Sequence, residues 1–382
     1  MGDDRQAQPM RVYFVATMYP SDASDFRGVF IRYMAYALAA LPGVELVAWT
    51  PPGALPTGTV VATTPAEAEW LRRLLQGGGI SHLMRSGGIR ALLAPLKLLH
   101  MLAAGYGRHR NVDLYHINWL QAALPLPANG KPVLVTVLGN DLRLLRLPFM
   151  RSLLRWRVMR ARKVAICPNA EWMEAPLRSA FGDVAEIIPV SFGIDPAWYA
   201  IQRARDDQRR IWLVVSRLTA DKLGPLFEWS QPLFDGTGRE LHLFGPMEQD
   251  IEVPGWVHYH GPASPESLAR DWFPVAQGLI TLSRHAEGRP QVMLEAMASG
   301  LPIIASRMPA HATVVVDRET GLLCDSSDNY GAAIEALEHA DSNRRYGTAA
   351  RERALAEMGT WDDCAARYRR IHVRLMEDAS LA

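Results

Sequence analysis

Short apolar segments of β-strand length alternate with helical segments along this 382-residue chain, and the alternation runs through twice. Buried strands that alternate with helices form parallel sheets with helices on both faces. The pattern therefore predicts an α/β protein with two Rossmann-like domains, whose sheets face each other across a cleft. In the first half we predict strands at Arg11–Thr17, Val44–Trp49, Asp113–Asn118, Pro132–Val137, Val164–Cys167 and Glu186–Pro189. In the second half we predict strands at Ile211–Ser216, Leu241–Phe244, Val257–His260, Gly278–Leu282, Leu301–Ala305 and Gly321–Cys324.

The join between the two domains is predicted at the loop-like segment Ser191–Pro196. We therefore expect one domain over residues 1–190 and a second over residues 191–360. Charge divides in the same way, because residues 1–190 carry 21 Lys and Arg against 13 Asp and Glu, whereas residues 191–382 carry 20 against 27. Such asymmetry predicts that the first half meets an anionic surface.

Targeting and redox features are few. No run of eighteen apolar residues occurs, and the first ten residues are polar, so we expect neither a transmembrane helix nor a secretory signal. Cys167, Cys324 and Cys364 lie far apart in the sequence. Their spacing favours a reducing compartment and argues against a disulfide framework or a zinc site.

Residues 283–306 are the most informative stretch for function. They predict a strand end, a tight loop through Gly288, Arg289 and Pro290, a short apolar helix and a further strand. Glu295 would lie within that buried helix, where a carboxylate is costly unless something hydrogen-bonds to it. Glu287 would lie where the loop leaves the strand, at the edge where open α/β sheets bind ligands. The bland alternative is that local backbone caps Glu295 and water solvates Glu287.

Two cations follow the predicted strand Ile211–Ser216. Arg217 comes directly after it and Lys222 five positions later, so both lie at the mouth of the second sheet. Arg and Lys there can hold an anionic ligand without a metal. A solvated turn is the alternative for this pair taken alone.

Together these motifs resemble the nucleotide-sugar site of retaining glycosyltransferases of family 4, which have the GT-B fold. That family has Glu-Gly-x-Pro, a second Glu eight positions after the first, and then Ala-Met-Ala-x-Gly-x-Pro. Here the corresponding residues run from Glu287 through Glu295 to Pro302. The family's Gly-Arg-Leu-x-x-x-Lys-Gly is matched around Arg217 and Lys222, with Ser216 and Leu223 in place of the two glycines.

Two N-terminal segments match the family less completely. Gly28 precedes a predicted helix at Val29–Leu41, where the family has a Gly-rich turn that contacts the donor. The family's Thr-x-His-Gly-x-Asp corresponds to Thr136–Asp141, which retains Gly139 and Asp141 but has Leu138 in place of the histidine. His116, at a predicted strand end, is the nearest substitute for that histidine, and a core position is the equal alternative.

The resemblance implies that residues 191–360 bind the nucleotide sugar and that residues 1–190 bind the acceptor. It also implies that the last helix, within residues 361–382, packs back on the N-terminal domain. Glu295 would bind the ribose and Glu287 the sugar. Gly28, Gly139 and Gly288–Pro290 would also contact the donor, and Asp141 and His116 would act near the reacting sugar. No Asp-x-Asp occurs in the chain, which favours a metal-free mechanism with no cofactor beyond the donor.

The expected function is retaining transfer of a hexose from a nucleotide diphosphate sugar, based on UDP or GDP, to a glycan or lipid-linked acceptor. Such a reaction would serve surface polysaccharide or glycolipid synthesis. One alternative is an impaired glycosyltransferase-like scaffold, which Leu138 supports, as does the absence of the family's Glu from Pro309–Val316. A second is a sugar-nucleotide epimerase. No nucleic-acid-binding module is recognised.

We also expect the N-terminal domain to dock on an anionic membrane, at the inner face of the cell membrane. Between Glu69 and Asp113 there are seven basic residues and no acid, and Gly88–Tyr106 is rich in Leu. A second run, from Arg143 to Lys163, adds eight cations. Basic, Leu-rich helices lie at bilayer interfaces. The alternative is that the Leu face packs on the domain's own sheet.

Overall fold

The structure is a computed structural model, and it describes residues 8–22, 25, 27–80, 89–139, 141–159, 162–205, 208–285 and 288–380. The chain divides into two compact units. The first unit comprises Met1–Phe192 together with Trp361–Ala382, and the second comprises Gly193–Thr360. The C-terminal helix thus belongs to the first unit, although a whole second unit separates them in sequence.

The first unit is built on a sheet of seven parallel strands. These are β1 (Met10–Val15), β2 (Val44–Trp49), β3 (Val60–Val61), β4 (Leu114–Asn118), β5 (Val133–Val137), β6 (Val164–Pro168) and β7 (Glu186–Ile187). Their order across the sheet is β3-β2-β1-β4-β5-β6-β7. β4, β5 and β6 are buried along their whole length, as parallel strands covered on both faces should be. β3 has only two residues, too few to produce a recognisable sequence pattern.

Helices cover both faces of this sheet. They are α1 (Val29–Ala39), α2 (Pro65–Gln76), α3 (Ile89–Arg108), α4 (Asp141–Leu144), α5 (Met150–Leu154), α6 (Glu174–Phe181) and the C-terminal helix (Trp361–Ser380). The start of α2 is encoded locally, because Thr64 and Glu67 form a reciprocal capping box and Pro65 follows the cap. The C-terminal helix packs beside α1, and its Tyr368, Ile371 and Leu375 join the apolar cluster beneath the sheet.

The second unit has a parallel sheet of six strands. These are β8 (Arg210–Val215), β9 (Arg239–Phe244), β10 (Val257–Gly261), β11 (Gly278–Thr281), β12 (Ile303–Ser306) and β13 (Leu322–Cys324). Their order is β10-β9-β8-β11-β12-β13. All six predicted strands of this half are present, within two residues of their expected ends. The register places Leu279 beside Leu213 on β8 and Ile303 on β12.

The helices of the second unit connect these strands. They are α7 (Pro196–Ala200), α8 (Ala220–Leu223), α9 (Leu226–Phe234), α10 (Pro265–Ser267), α11 (Gln291–Ser299), α12 (Pro309–Ala312), α13 (Ser327–Glu338) and α14 (Ala340–Arg353). α11 is buried through Met293, Leu294 and Met297, in accord with its apolar sequence. Across the described residues, none of the helices combines the length and apolarity needed to span a bilayer.

Each sheet has one point at which the strand order reverses. In the first unit it lies between β1 and β4, and in the second between β8 and β11. Ligands of open α/β sheets bind outside the carboxyl ends of the strands at such a point. The topology therefore directs attention to the segments that follow these four strands.

Candidate functional site

The carboxyl ends of β8, β9 and β11 lie very close together in the second unit. Gly245, directly after β9, has a φ of 137°, and a Cβ there would lie 1.8 Å from the carbonyl oxygen of Ser216. Only glycine fits so close to another backbone. The backbone N–H of Arg284, after β11, donates to the carbonyl of Asp221 in α8 at 2.7 Å. The segments after these three strands therefore form one continuous edge at the reversal point.

Arg217 and Lys222 both lie on this edge. The Arg217 guanidinium forms an ion pair with Glu248 at 2.9 Å, and both side chains are about two-fifths exposed. Lys222 lies half-buried in α8, whose first turn is capped by Thr219. The structure thus brings the predicted cations to the mouth of the sheet. An anion bound to Arg217 would compete with Glu248.

The loop before α11 holds three predicted donor contacts. Pro290 occupies the N-cap position of α11, which begins at Gln291. The proline therefore lies just before the helix and not inside its first turn. Arg289 is 7% exposed, and its Nη2 donates to the carbonyl of Thr313 at 3.4 Å. Arg289 therefore joins this loop to the segment after α12. Gly288 is half-buried beside it, whereas Glu287 lies outside the described residues.

Glu295 is the unusual residue of α11. It is half-buried, and the residues on either side of it are fully buried. Burial and, to a smaller extent, the nearby carboxylate of Asp195 together raise the pKa of its carboxyl to about 8. Among the residues that the structure describes, no side chain or backbone group hydrogen-bonds to the carboxyl of Glu295. The alternative that local backbone caps this carboxyl is thus not what the structure has.

Asp195 was missed by the sequence analysis. It caps α7 by accepting a hydrogen bond from the Ala197 N–H at 2.9 Å, and Pro196 follows it as the first helical residue. This Asp-Pro pair is a recognisable helix-start signal. What the signal does not reveal is that α7 packs against α11, which brings Asp195 near Glu295.

The segment that replaces the family's Gly-Gly-x-x-Glu forms α12. His311 in this helix is fully buried, and its Nδ1 lies 3.0 Å from the Ser306 carbonyl oxygen and 3.1 Å from its Oγ. The Ser306 hydroxyl in turn donates to the carbonyl of Ser283 at 2.6 Å. This chain of contacts fastens the ends of β11 and β12 to each other. A single sequence gives no signal for it beyond serines at two strand ends.

In the first unit, Gly28 follows β1 and caps α1. Its φ is 73°, and an added Cβ would lie 3.1–3.2 Å from Met18 atoms. A larger residue would therefore be strained both by its backbone and by its neighbour. Trp119, after β4, also has a positive φ, of 72°. Such a conformation is unusual for a tryptophan, and nothing in the sequence announces it.

Asp141 and Gly139 lie in the turn after β5. Asp141 is 2% exposed, and its carboxylate accepts hydrogen bonds from the backbone N–H groups of Leu138 at 2.8 Å and Leu120 at 3.0 Å. Burial raises the pKa of Asp141 to about 7, against the opposite effect of these two hydrogen bonds. Asp141 therefore ties together the segments after β4 and β5. Gly139 is buried in the same turn.

His116 does not lie at the protein surface, where a histidine that binds the sugar would have to be. It is fully buried, with Nε2 3.0 Å from the Thr136 hydroxyl and Nδ1 3.2 Å from Nε2 of His372 in the C-terminal helix. Burial, and then His372, lower its pKa well below the usual value. The C-terminal helix covers this part of β4, so the expectation of a sugar-binding histidine is wrong. His116 is a core residue.

One group of side chains in the described part of the chain could hold a metal ion. It consists of Glu240 and His242 on β9 and His258 on β10. The ring nitrogens of His242 already have partners, since Nε2 lies 2.9 Å from Glu240 and Nδ1 lies 2.9 Å from His260. A neutral imidazole satisfies both contacts without an ion. The group lies along the β9–β10 edge and not among the predicted donor contacts.

Comparison with known proteins adds an independent observation on this site. Residues 268–353 match the family model of glycosyl transferases group 1. The matched stretch contains the loop before α11, Glu295 and α12. The D-inositol 3-phosphate glycosyltransferase of Xylanimonas cellulosilytica is 34% identical over 111 residues, which are 29% of this chain and 26% of that protein. The alignment thus spans about a quarter of that relative.

A longer alignment is found with the GDP-mannose-dependent alpha-(1-6)-phosphatidylinositol monomannoside mannosyltransferase of Mycobacterium tuberculosis. It is 27% identical over 285 residues, which cover 65% of this chain and 73% of that protein. Among solved structures, sucrose-phosphate synthase from Thermosynechococcus elongatus aligns with a TM-score of 0.68 and 16% identity, over 97% of this chain and 100% of that one. Anabaena HepE in complex with UDP and glucose aligns with a TM-score of 0.65 and 13% identity, over 95% and 99%.

The resemblance to GT-B glycosyltransferases is confirmed. The predicted fold class, two Rossmann-like units with parallel sheets, is confirmed with it. Glu295 lies within residues 268–353, the stretch that the family model matches. Arg217, Lys222, Gly288 and Glu295 are all predicted to contact one ligand, the nucleotide sugar.

Proposed function

We propose that this protein transfers a hexose from a nucleotide diphosphate sugar to an acceptor with retention of configuration, as glycosyltransferases of family 4 do. The observation that carries the proposal is Glu295. A half-buried carboxyl without a partner in the described residues is costly, and paired ribose hydroxyls would supply the missing hydrogen bonds. Its position in the stretch that matches glycosyl transferases group 1 supports this assignment.

The second-unit edge would hold the rest of the donor. Arg217 and Lys222 would neutralise the diphosphate, and Gly288 would let it approach the loop before α11 closely. The positive end of the α11 dipole follows this loop and would favour an anion there. Glu287 would contact the sugar. The leaving phosphate can accept the acceptor's proton, so this arrangement needs no protein nucleophile and no metal ion.

The first unit would bind the acceptor. It would also reach the donor through Gly28 and Gly139, which lie after β1 and β5 at the carboxyl edge of that sheet, where open α/β folds place ligands. Asp141 would act by holding this edge in place, because its carboxylate is committed to backbone N–H groups. A lipid-linked acceptor is our preference, since the mannosyltransferase from Mycobacterium tuberculosis is named for a phosphatidylinositol substrate. The protein would then act as a peripheral protein on the inner face of the cell membrane.

The proposal is tested first by thermal unfolding of the full chain with UDP, GDP and ADP, and then with their hexose derivatives. Bound ligand at about a hundred times its dissociation constant adds roughly 2.7 kcal/mol of stability. We expect UDP or GDP to stabilise the protein and ADP to do so less. HepE is described with UDP and the mannosyltransferase is GDP-dependent, so both bases are included. No stabilisation by any of the three would contradict the proposal.

A glycosyltransferase-like scaffold without activity is the second candidate. Leu138 replaces the histidine that resembled enzymes place beside the sugar, and the segment around His311 lacks their glutamate. Hydrolysis or transfer from the stabilising nucleotide sugar separates the two candidates. Stabilisation without any turnover, over the acceptors tested, would favour the scaffold.

A further inference from the structure

Large apolar side chains are exposed in one short segment of the first unit. Of the exposed large hydrophobic residues in the described chain, four lie within ten positions: Leu147, Phe149, Leu153 and Trp156. Phe149 is 87% exposed and Trp156 is 61% exposed. Scattered single residues of this kind need no explanation, but a cluster marks a surface that meets an apolar partner.

Helical geometry places three of the four side chains on one stripe. Phe149 caps α5, Leu153 lies four residues later and Trp156 lies three residues further, in the helical turn Arg155–Met159 that continues α5. The opposite side of the same turns is packed, because Leu154 and Val158 are fully buried in the core. The segment is therefore anchored on one side and bare on the other.

Cations surround this stripe. Arg143, Arg146 and Arg157 are exposed, and within the described residues none of them has an ion pair or a side-chain hydrogen bond. The sequence has no acid between Asp141 and Glu171. Arg151 and Arg155, by contrast, hold the segment to the Ala180 backbone. A protein partner would need a matching acidic face, whereas an anionic bilayer supplies both negative charge and an apolar interior.

We propose that residues 143–157, here called the apolar–basic surface, dock on an anionic bilayer. Leu147, Phe149, Leu153 and Trp156 enter the boundary between headgroups and acyl chains, and the three unpaired arginines lie at the lipid phosphates. Aromatic side chains favour this depth, and cations near an anionic leaflet strengthen binding. The inference rests on the proposed function, because docking would present the first unit to a lipid-linked acceptor.

Of the two segments that the sequence favoured, this surface lies in the second, Arg143 to Lys163, and not in the Leu-rich Gly88–Tyr106. In α3, Leu98, Met101 and Leu102 are buried in the core, so much of its Leu face is not available to a membrane. Lys97 lies over the ring of Trp70, 5.2 Å from its centre. Leu93 and Leu96 do remain exposed. Leu93 and Leu96 serve as a matched control for Phe149 and Trp156, because all four are exposed apolar side chains of the first unit.

The test is co-sedimentation of the full chain with vesicles of phosphatidylcholine, alone or mixed with phosphatidylglycerol. We expect binding only with phosphatidylglycerol, and a decrease of about tenfold or more for the double variant Phe149→Ser/Trp156→Ser. The control Leu93→Ser/Leu96→Ser should stay within about twofold of the original protein. The triple variant Arg143→Gln/Arg146→Gln/Arg157→Gln should lose the response to phosphatidylglycerol.

Insertion has its own readout. Brominated lipids quench a tryptophan that enters the bilayer, and we expect Trp156→Phe to remove most of that quenching while binding persists. Unchanged vesicle binding by Phe149→Ser/Trp156→Ser would overturn the inference. So would a dimer of the original protein that this variant abolishes, because a second copy would then be the occupant.

Nucleotide-induced stabilisation is measured on the same variants. The apolar–basic surface shares no residue with the predicted donor contacts, so the thermal shift of these variants with UDP or GDP should equal that of the original protein. Vesicle binding without any nucleotide shift would overturn the proposed function and leave the docking surface standing. A thermal shift with UDP or GDP in a protein that does not bind vesicles would overturn the docking surface and leave the proposed function standing.

Discussion

Glu295, which is half-buried, and His372, which is fully buried, both have pKa values that burial shifts toward the neutral form. Burial raises the pKa of Glu295 to about 8 and lowers that of His372 to about 3. Their surroundings nevertheless differ. His372 has a partner in His116, whereas Glu295 has none in the described part of the chain. The Nδ1 of His372 also has no partner, but its ring is enclosed in the core. The carboxyl of Glu295 is half-buried, so a ligand could reach it.

Replacing Glu295 should weaken donor binding. A hydrogen bond to a charged group contributes about 1.5–3 kcal/mol, so Glu295→Ala should lower the affinity for UDP or GDP by roughly ten- to a hundredfold. Calorimetric titration measures this directly. Glu335→Ala is the control, because Glu335 is exposed on α13. Equal affinity in Glu295→Ala and the original protein would show that the ribose is held elsewhere.

The same carboxyl predicts a pH dependence of binding. Below pH 8 the free protein holds Glu295 protonated, and accepting two ribose hydrogen bonds favours the carboxylate. Binding should therefore release a proton, and affinity for the nucleotide sugar should rise between pH 6 and 8. The rise is at most about tenfold per pH unit. Titrations of Glu295→Gln should be flat over this range, and a rise of the same size in that variant would exclude Glu295 as its source.

His372 predicts a pH dependence of stability. An unfolded histidine titrates near about 6.5, whereas burial holds the pKa of His372 near 3. The native state thus binds fewer protons than the unfolded chain as pH falls below 6.5, and stability is lost there. In urea unfolding the original protein should lose more stability between pH 7 and pH 5 than His372→Leu does. Equal losses would mean that His372 is not buried as a neutral ring.

At the scale of elements, the turn after β8 carries Arg217, and α8, which follows it, carries Lys222. The position of the turn is determined by close backbone packing, since the Ser216 carbonyl leaves no room for a side chain at Gly245. The guanidinium of Arg217 forms an ion pair with Glu248. That pair is substantially exposed, and pairs of this kind contribute little to stability. Arg217 is therefore available to a diphosphate at small cost.

Arg217→Ala and Lys222→Ala should each reduce kcat/KM for transfer by about ten- to a hundredfold, because each removes a charge-assisted contact to the leaving group. Glu248→Gln is the control. It removes the competing carboxylate and should leave kcat/KM equal or higher. Transfer should also survive EDTA, and activity that disappears on chelation and returns with Mg²⁺ would contradict the metal-free mechanism.

For the whole molecule, the chain path makes the first unit dependent on its last twenty residues. The C-terminal helix supplies Tyr368, Ile371 and Leu375 to the core of a unit that otherwise ends at Phe192. The second unit, Gly193–Thr360, contains its own sheet and core. The core of the first unit is therefore complete only when the C-terminal helix is present. The core of the second unit is complete within Gly193–Thr360.

A chain that stops after Thr360 should lose the cooperative unfolding of the first unit and retain that of the second. Differential scanning calorimetry should show one remaining transition, which UDP or GDP still shifts if the second unit holds the donor. Tyr368→Ala in the full chain is the milder test, with an expected loss of about 3–5 kcal/mol from the first unit. A truncated chain with two intact transitions would mean that the helix is not part of that core.

The fold was predictable because its signals are local. Buried parallel strands are apolar along their whole length, and helix starts such as Thr64–Glu67 and Asp195–Pro196 are written in neighbouring residues. The position of Glu295 in an apolar helix was visible in the same way. These features depend only on the side chains of one segment. The strand β3 was not predicted, because two residues are too few to form a pattern.

What only the tertiary structure decided is which side chains remain uncovered. His116 and Asp141 have the sequence surroundings of site residues, yet the C-terminal helix covers one and the Leu120 backbone holds the other. Likewise α3 is the more Leu-rich segment, but its Leu face is largely packed while Phe149 and Trp156 are bare. Burial depends on which distant segments meet, and this long-range information is absent from the residues on either side of a position.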